Sequence, residues 1–276
     1  MSAQISCQDL KDNKMTIDDI HKLLRNPNLI PGIYNYCDRW CERCEFTHRC
    51  ANFSLEEKHF PDSTELDINN ARFWEKLGEI FKITLEMVKD FAEKQGIDLE
   101  SIDREAFENR ERELEDKAAN FECSYLSKEY IHLVNNWFDS SHDVFNEKVE
   151  ELKMLDEIGL PNTKLEKEIG DLNDVTNVIR WYQNQIHVKI MRAVSGKLEE
   201  ESEAENDFPK DSDGSAKVAL IGIDRSISAW GKMLSHFPQK EDELLNVLVH
   251  LERLGRKTEK EFPNARAFIR SGFDEK

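Results

Sequence analysis

The chain has 276 residues, and its 56 acidic and 38 basic side chains give a formal net charge of −18. This excess of negative charge disfavours binding to nucleic acids or anionic membranes, because both depend on Lys and Arg neutralising phosphate groups. It favours a protein partner instead. The length suffices for one large domain or two smaller ones with a buried core.

Neither the N-terminus of the chain nor its interior predicts export or membrane insertion. The first residues, Met1 to Cys7, lack the charged and then apolar pattern of a signal peptide. No apolar run approaches the roughly 18 residues that a membrane span requires. We therefore expect a cytoplasmic protein in which thiols stay reduced, so that a group of cysteines indicates metal or redox chemistry rather than disulfides.

The hydrophobic pattern predicts an all-α fold, a bundle of five or six long helices that follows a small N-terminal head. Glycine and proline are scarce, with 11 and 7 residues, and apolar side chains recur at helical spacing. Strand-like alternation is absent from the sequence. In chain order, the predicted helices cover about 16–25, 68–95, 103–117, 122–157, 163–198, 216–237 and 241–262.

The predicted organisation has two parts, with a single integrated domain as the alternative. Residues 1–65 form the head, with a short helix and a cysteine-rich loop, and residues 66–276 form the bundle. Residues 199–214 read EEESEAENDFPKDSDG. Because this segment combines high charge with low hydrophobicity, we expect a mobile acidic loop between two helices.

Four of the six cysteines fall within fourteen residues and form the most informative motif of the chain. Their spacing is Cys-x3-Cys-x2-Cys-x5-Cys, and only short turns separate them, so that their thiolates can converge on one centre. The predicted metal ligands are Cys37, Cys41, Cys44 and Cys50.

Zinc and iron–sulfur centres both accept four thiolates, so residue type alone leaves both open. Structural zinc sites usually draw two close pairs from separate parts of the chain. Here one continuous loop supplies all four ligands, which favours a [4Fe–4S] cluster, with zinc as the alternative. A cluster with four cysteine ligands has no open iron for a substrate, and we therefore expect a structural or electron-transfer role.

The last three cysteines, in Cys41-Glu42-Arg43-Cys44-Glu45-Phe46-Thr47-His48-Arg49-Cys50, resemble the Cys-x2-Cys-x5-Cys iron–sulfur element of AddB-type and other RecB-family nucleases. The resemblance covers ten residues and implies an iron–sulfur cluster. It keeps the aromatic residue at Phe46 but has Glu45 where those proteins carry proline. Their carboxylate–lysine nuclease site has no counterpart here, so nuclease activity is not implied. The whole chain also resembles an uncharacterised bacterial family with a cysteine-rich loop, which implies no activity.

Other residues near the motif have two interpretations each. Arg39, Arg43 and Arg49 would offset the negative charge of four thiolates. Trp40 and Phe46 either shield the centre from water or only seat the loop on the rest of the protein. His48 and His59 are expected to be surface residues rather than ligands, and the remaining thiols, Cys7 and Cys123, to be free.

A second hypothesis concerns polar residues on apolar helical faces. Arg180, His187, Asp224 and Glu252 lie on or near such faces, and buried charges that persist mark functional sites in some proteins. They predict either an enzyme site between helices or, as the favoured interpretation, an Arg180–Asp224 or Arg180–Glu252 ion pair that fixes helix register. A zinc-stabilised module for protein interactions is the third alternative.

Overall fold

The structure, a computed structural model, describes residues 16–157, 162–200 and 210–274. In these residues it is helical and contains no strand, which confirms the all-α prediction. None of their helices is long and apolar enough to cross a membrane. The helices are α1 (Ile17–Leu24), α2 (Ala51–His59), α3 (Ala71–Gln95), α4 (Arg104–Ala119), α5 (Glu122–Ser140), α6 (His142–Glu157), α7 (Asn162–Glu200), α8 (Asp211–His236) and α9 (Glu241–Glu261).

The described chain divides into two compact units. The first unit comprises residues 16–104 together with 271–274, and the second unit comprises residues 105–270. In this division α3 groups with the cysteine loop, and the predicted boundary after residue 65 stays a prediction. Segment 271–274 also returns to the first unit, a long-range contact that local sequence patterns do not encode.

The second unit is built on four helices, α5, α7, α8 and α9, each of which packs against two of the others. Helix α5 neighbours α7 and α9, and α8 neighbours the same two, as in a four-helix bundle. Aromatic side chains fill its core. Trp137 meets the Trp230 ring edge-to-face at 5.1 Å, and the Trp230 indole N–H donates to the Tyr130 hydroxyl at 2.9 Å.

The predicted continuous helix 122–157 is wrong in one respect, because it is broken at Ser141 into α5 and α6. The Ser140 hydroxyl donates to the Trp137 carbonyl, and such side-chain bonds compete with helical ones. The break lets Phe145 pack on Phe237 at 4.8 Å between ring centroids. Aromatic packing therefore outweighs local helix propensity at this position.

Helix α8 begins earlier than residue 216, so that part of the predicted acidic loop is helical. Residues 199–200 end α7, residues 211–214 begin α8, and residues 201–209 lie outside the described chain. The backbone N–H and hydroxyl of Ser212 donate to the Glu200 carboxylate at 3.1 and 2.8 Å. The Arg192 guanidinium binds Asp211 at 3.1 Å. These two contacts fix the start of α8 against the end of α7.

The first unit contains α1, α2 and α3 joined by turns. Helix α1 begins with a reciprocal capping box between Thr16 and Asp19. Helix α3 ends at Gly96 as predicted, because this residue adopts a left-handed conformation with φ of 69°. Lys76 of α3 donates to the Glu65 carboxylate at 2.5 Å and to the His59 carbonyl at 2.7 Å, and so connects α3 to the end of α2.

Candidate metal centre

The cysteine loop, residues 37–50, is held in the first unit by a short apolar anchor that precedes it. Ile30 and Ile33 are buried. The Ile30 N–H donates to the Arg49 carbonyl at 2.9 Å, which ties the anchor to the far end of the loop. Gly32 makes the intervening turn with φ of 72°, a conformation that glycine adopts without strain. The loop is therefore closed at its base by one backbone hydrogen bond.

Two short 3₁₀ turns shape the loop and place cysteines at their ends. Residues Cys41–Arg43 form the first turn, which the Cys44 N–H closes by donating to the Cys41 carbonyl at 3.1 Å. The Phe46 N–H then donates to the Cys44 sulfur at 3.4 Å. This contact fixes the position of the Cys44 side chain relative to the second half of the loop.

The second turn, Thr47–Arg49, delivers Cys50 to the N-terminus of α2. The Cys50 N–H donates to the Thr47 carbonyl at 3.1 Å, and its own carbonyl accepts from Ser54 at 3.0 Å as the first bond of the helix. Cys50 is the N-cap residue of α2. The second turn and the start of α2 therefore fix the backbone of Cys50 on both sides.

All four cysteines are half-buried, and they interact electrostatically. Burial raises the pKa of Cys41 to about 11, and the Glu56 carboxylate and the other three loop cysteines act in the same direction.

The thiols do not form a ready-made coordination sphere. Across residues 16–157, 162–200 and 210–274, no group of three or more His, Cys, Asp or Glu side chains is close enough to hold a metal ion. The donor set itself fits a soft metal centre, because four thiolates are the ligands that zinc and iron–sulfur clusters prefer. Binding would require the loop to tighten around the metal.

Segment 271–274 covers part of the cysteine loop. The rings of Phe273 and Phe46 meet edge-to-face with centroids 5.2 Å apart. Gly272 packs on the anchor so closely that a Cβ atom there would lie 2.9 Å from Ile30 Cδ1 and 3.0 Å from Ile33 Cδ1. Phe46 therefore seats the loop on the protein, the second of its two interpretations. Sequence reasoning missed this contact, since some two hundred residues separate its partners.

The three arginines near the motif have different surroundings. Arg43 stacks its guanidinium 3.9 Å from the centroid of the Trp40 ring, and Arg49 donates to the Asn28 carbonyl at 3.2 Å. Arg39 adopts a left-handed backbone with φ of 59° between Cys37 and Cys41. This conformation is uncommon outside glycine, and functional loops are one place where it persists.

The two histidines near the motif have surroundings of their own. His48 is exposed in the second 3₁₀ turn. His59 ends α2, where its ring meets Phe60 at 5.9 Å and burial lowers its pKa. Of the remaining thiols, Cys123 is buried in α5 and free, and Cys7 lies outside the described residues.

The structure gives the four residues of the hypothesised polar site separate partners. Arg180 donates to Asn135 at 3.3 Å and to Gln183 at 3.1 Å. Asp224 accepts from the Arg266 guanidinium at 2.5 and 3.1 Å, and Glu252 pairs with Arg256 along α9. Three of the four, Arg180, Asp224 and Glu252, are exposed. These contacts do not join the four residues into one buried site. They also do not pair Arg180 with Asp224 or with Glu252.

His187 meets a serine that sequence reasoning did not single out. Its Nδ1 atom lies 2.8 Å from the Ser127 hydroxyl, which itself donates to the Ser124 carbonyl at 2.7 Å. Which of the two groups donates in this contact depends on the tautomer of the imidazole. Ser127 is fully buried, and the pair connects α5 to α7.

A cavity of about 590 Å³ lies between α6 and α7 in the second unit. Its wall is mostly apolar, and none of the four residues of the hypothesised polar site lines it. The cavity is lined by Phe145, Val149, Leu152, Lys153, Ile169, Leu172, Asn173 and Thr176.

Comparisons of the chain with protein-family models, curated proteins and solved structures found no match.

Proposed function

We propose that this protein binds a metal centre through Cys37, Cys41, Cys44 and Cys50, and that the centre is a [4Fe–4S] cluster with a structural or electron-transfer role. The observation that carries the proposal is that four half-buried thiols belong to one fourteen-residue loop. The loop also provides a backbone N–H to the Cys44 sulfur and a helix N-terminus at Cys50.

The chain's own residues have three tasks in this proposal. The two 3₁₀ turns orient the thiols, the Ile30–Arg49 backbone bond closes the loop, and the ring contact of Phe46 with Phe273 seats the loop on segment 271–274. A [4Fe–4S] cluster contributes either a rigid cross-link or one-electron transfer. The ten-residue resemblance to the AddB-type element supports iron over zinc, and zinc remains the alternative metal.

The charge of the chain supports a protein partner in the cytoplasm. A net charge of −18 opposes binding to polyanions. It attracts basic surfaces and accelerates association with them. A redox partner with a basic docking face would fit an electron-transfer role.

The test is a measurement of iron, acid-labile sulfide and zinc on protein purified without oxygen. We expect about four iron and four sulfide per chain, the composition of a [4Fe–4S] cluster. Single variants Cys37→Ser, Cys41→Ser, Cys44→Ser and Cys50→Ser should each lose most of this metal. Cys123→Ala is the matched control, because this thiol is buried in the second unit, and its loss should leave the metal content unchanged.

The outcomes separate the alternatives. One zinc without sulfide would replace the cluster with a structural zinc site. Protein free of all three elements, even after anaerobic reconstitution with iron and sulfide, would refute the proposal. For a cluster, a reversible one-electron reduction at an accessible potential supports electron transfer. A cluster that resists reduction and whose removal unfolds residues 28–50 supports a structural role.

A further inference from the structure

Helix α3 of the first unit presents a continuous apolar stripe to solvent. The side chains are exposed by 47 to 65%, although residues of this type are usually buried. Single exposed apolar residues are common, but contiguous patches of this kind mark interaction sites. The α3 stripe consists of Trp74, Phe81, Leu85, Val88 and Phe91.

Two other side chains of α3 contact the segment that precedes the helix. Phe73 stacks on Phe60 with ring centroids 6.0 Å apart, and Lys76 reaches back to Glu65 and His59. Trp74 is fixed by its indole N–H, which donates to the Ile68 carbonyl at 2.8 Å, so its ring is held in place while 59% exposed. The stripe is thus anchored at its first residue, which lowers the entropic cost of docking.

We propose that the α3 stripe binds the α3 stripe of a second copy of this chain in an antiparallel helix pair. The sequence follows a heptad pattern with Trp74, Phe81 and Val88 at one core position and Leu77, Thr84 and Phe91 at the other. In an antiparallel pair, the two kinds of position face each other across a two-fold axis. Across the two-fold axis, the facing residues of the two copies are then Trp74 with Phe91, Leu77 with Val88, and Phe81 with Thr84.

The charges of α3 favour self-association and select the antiparallel direction. The helix carries five basic and five acidic side chains, so it is neutral in a chain of net charge −18. Its first half, residues 71–83, has three basic and two acidic side chains, and its second half, residues 84–95, has two basic and three acidic ones. An antiparallel pair sets each half against the half of opposite charge, whereas a parallel pair sets like against like.

The size of the stripe reaches the range of a specific interface. If each of its five side chains contributes on the order of 100 Å², two copies bury roughly 1,000 Å² in total, which is the lower bound for a biological contact. The apolar side chains that are buried among the described residues of the first unit are only Ile30, Ile33, Ala51 and Ala92. Pairing of α3 would therefore enlarge a core that is small for its length.

The experiment measures the mass of the full chain in solution by sedimentation over a range of micromolar concentrations. We expect a dimer that dissociates on dilution. Phe81→Lys should give a monomer, because it places a charge in the centre of the pair. Phe107→Lys is the matched control, because Phe107 is 58% exposed on α4 and lies outside the stripe, and this variant should stay dimeric. Unchanged far-UV circular dichroism shows that each variant is folded.

The double variant Phe81→Lys/Thr84→Glu tests the direction of the pair. In the antiparallel register the lysine that replaces Phe81 in one copy faces the glutamate that replaces Thr84 in the other, so association should return, whereas a parallel pair would stay apart. A native chain that remains monomeric throughout the range overturns the proposal. So does a dimer of native strength in Phe81→Lys, or a monomer in which hydrogen exchange shows that another part of the chain protects α3.

Discussion

The contact between segment 271–274 and the cysteine loop leads to a prediction whose magnitude follows from two glycines. Gly272 and Gly96 both have left-handed backbones, with φ of 78° and 69°. A Cβ atom at Gly272 would meet Ile30 Cδ1 at 2.9 Å, whereas at Gly96 it would meet nothing within 4 Å. The two positions share the backbone strain and differ only in the space around the side chain.

Replacement by alanine therefore separates strain from steric overlap. Gly96→Ala should cost about 1–2 kcal/mol, the penalty of a non-glycine residue in the left-handed region. Gly272→Ala should cost about 1–3 kcal/mol more, the usual penalty of overpacking a buried contact, because Ile30 and Ile33 are buried and have little room to move. The stabilising effect of alanine on the unfolded chain is the same in both variants and cancels in the comparison.

Hydrogen exchange of peptides from residues 28–50 measures this difference where it arises. The Ile30 amide, which donates to the Arg49 carbonyl, reports the opening of the loop. In Gly272→Ala its exchange should accelerate by about one to two orders of magnitude relative to Gly96→Ala, the factor that corresponds to about 1–3 kcal/mol. Equal exchange in the two variants would show that segment 271–274 does not support the loop.

Two further predictions concern the second unit. The Gly222→Ala variant in α8 should be less stable than the Gly231→Ala variant by about 1–3 kcal/mol in urea unfolding. The reason is that a Cβ atom at Gly222 would lie 2.9 Å from a Tyr182 ring carbon, whereas Gly231 has open space around it. Equal unfolding midpoints would contradict the close approach of α7 and α8. Burial raises the pKa of Asp213, and the neighbouring Glu200 carboxylate acts in the same direction. The folded chain therefore disfavours the ionised form of Asp213. Its stability falls as the pH rises from the ordinary aspartate value of 3.8 to the raised pKa, because the unfolded chain loses this proton first. Asp213→Asn should therefore stabilise the protein at neutral pH and lose this advantage below the ordinary aspartate value of 3.8, and a stabilisation that is the same at both pH values would argue against the assignment.

The helices could be predicted from the sequence because their signals are local. Predicted ends and observed ends agree closely where a cap or a glycine marks them, as at Thr16 and Gly96. The break at Ser141 was missed, because it depends on Phe145 reaching Phe237 across the fold. A strong helical pattern on both sides of a serine pair does not reveal such tertiary packing.

The candidate site divides in the same way between local and distant information. The four cysteines could be proposed as metal ligands because their spacing along the chain is itself the signal, and the short 3₁₀ turns Cys41–Arg43 and Thr47–Arg49 lie between them. Phe273 could not be found, since nothing near it in the sequence refers to Phe46. The polar-site hypothesis placed Arg180 and Asp224 on apolar faces by helical angle, which ignores the reach of long side chains to Asn135 and Arg266 at the edges of those faces.

The small core of the first unit connects the metal proposal to the α3 proposal. Four buried apolar side chains, two of them alanines, serve its described residues, and hydrophobic burial on that scale does not offset the conformational entropy of so long a segment. Small domains with this deficit are usually stabilised by a metal or by association. A metal centre held by thiolates can supply on the order of 10 kcal/mol, and a paired α3 adds the burial that its stripe lacks in a single chain. The small core thus gives a physical reason for a structural role of the proposed centre, whether or not the centre also transfers electrons. Loss of metal should then loosen the cysteine loop before the four-helix core of the second unit.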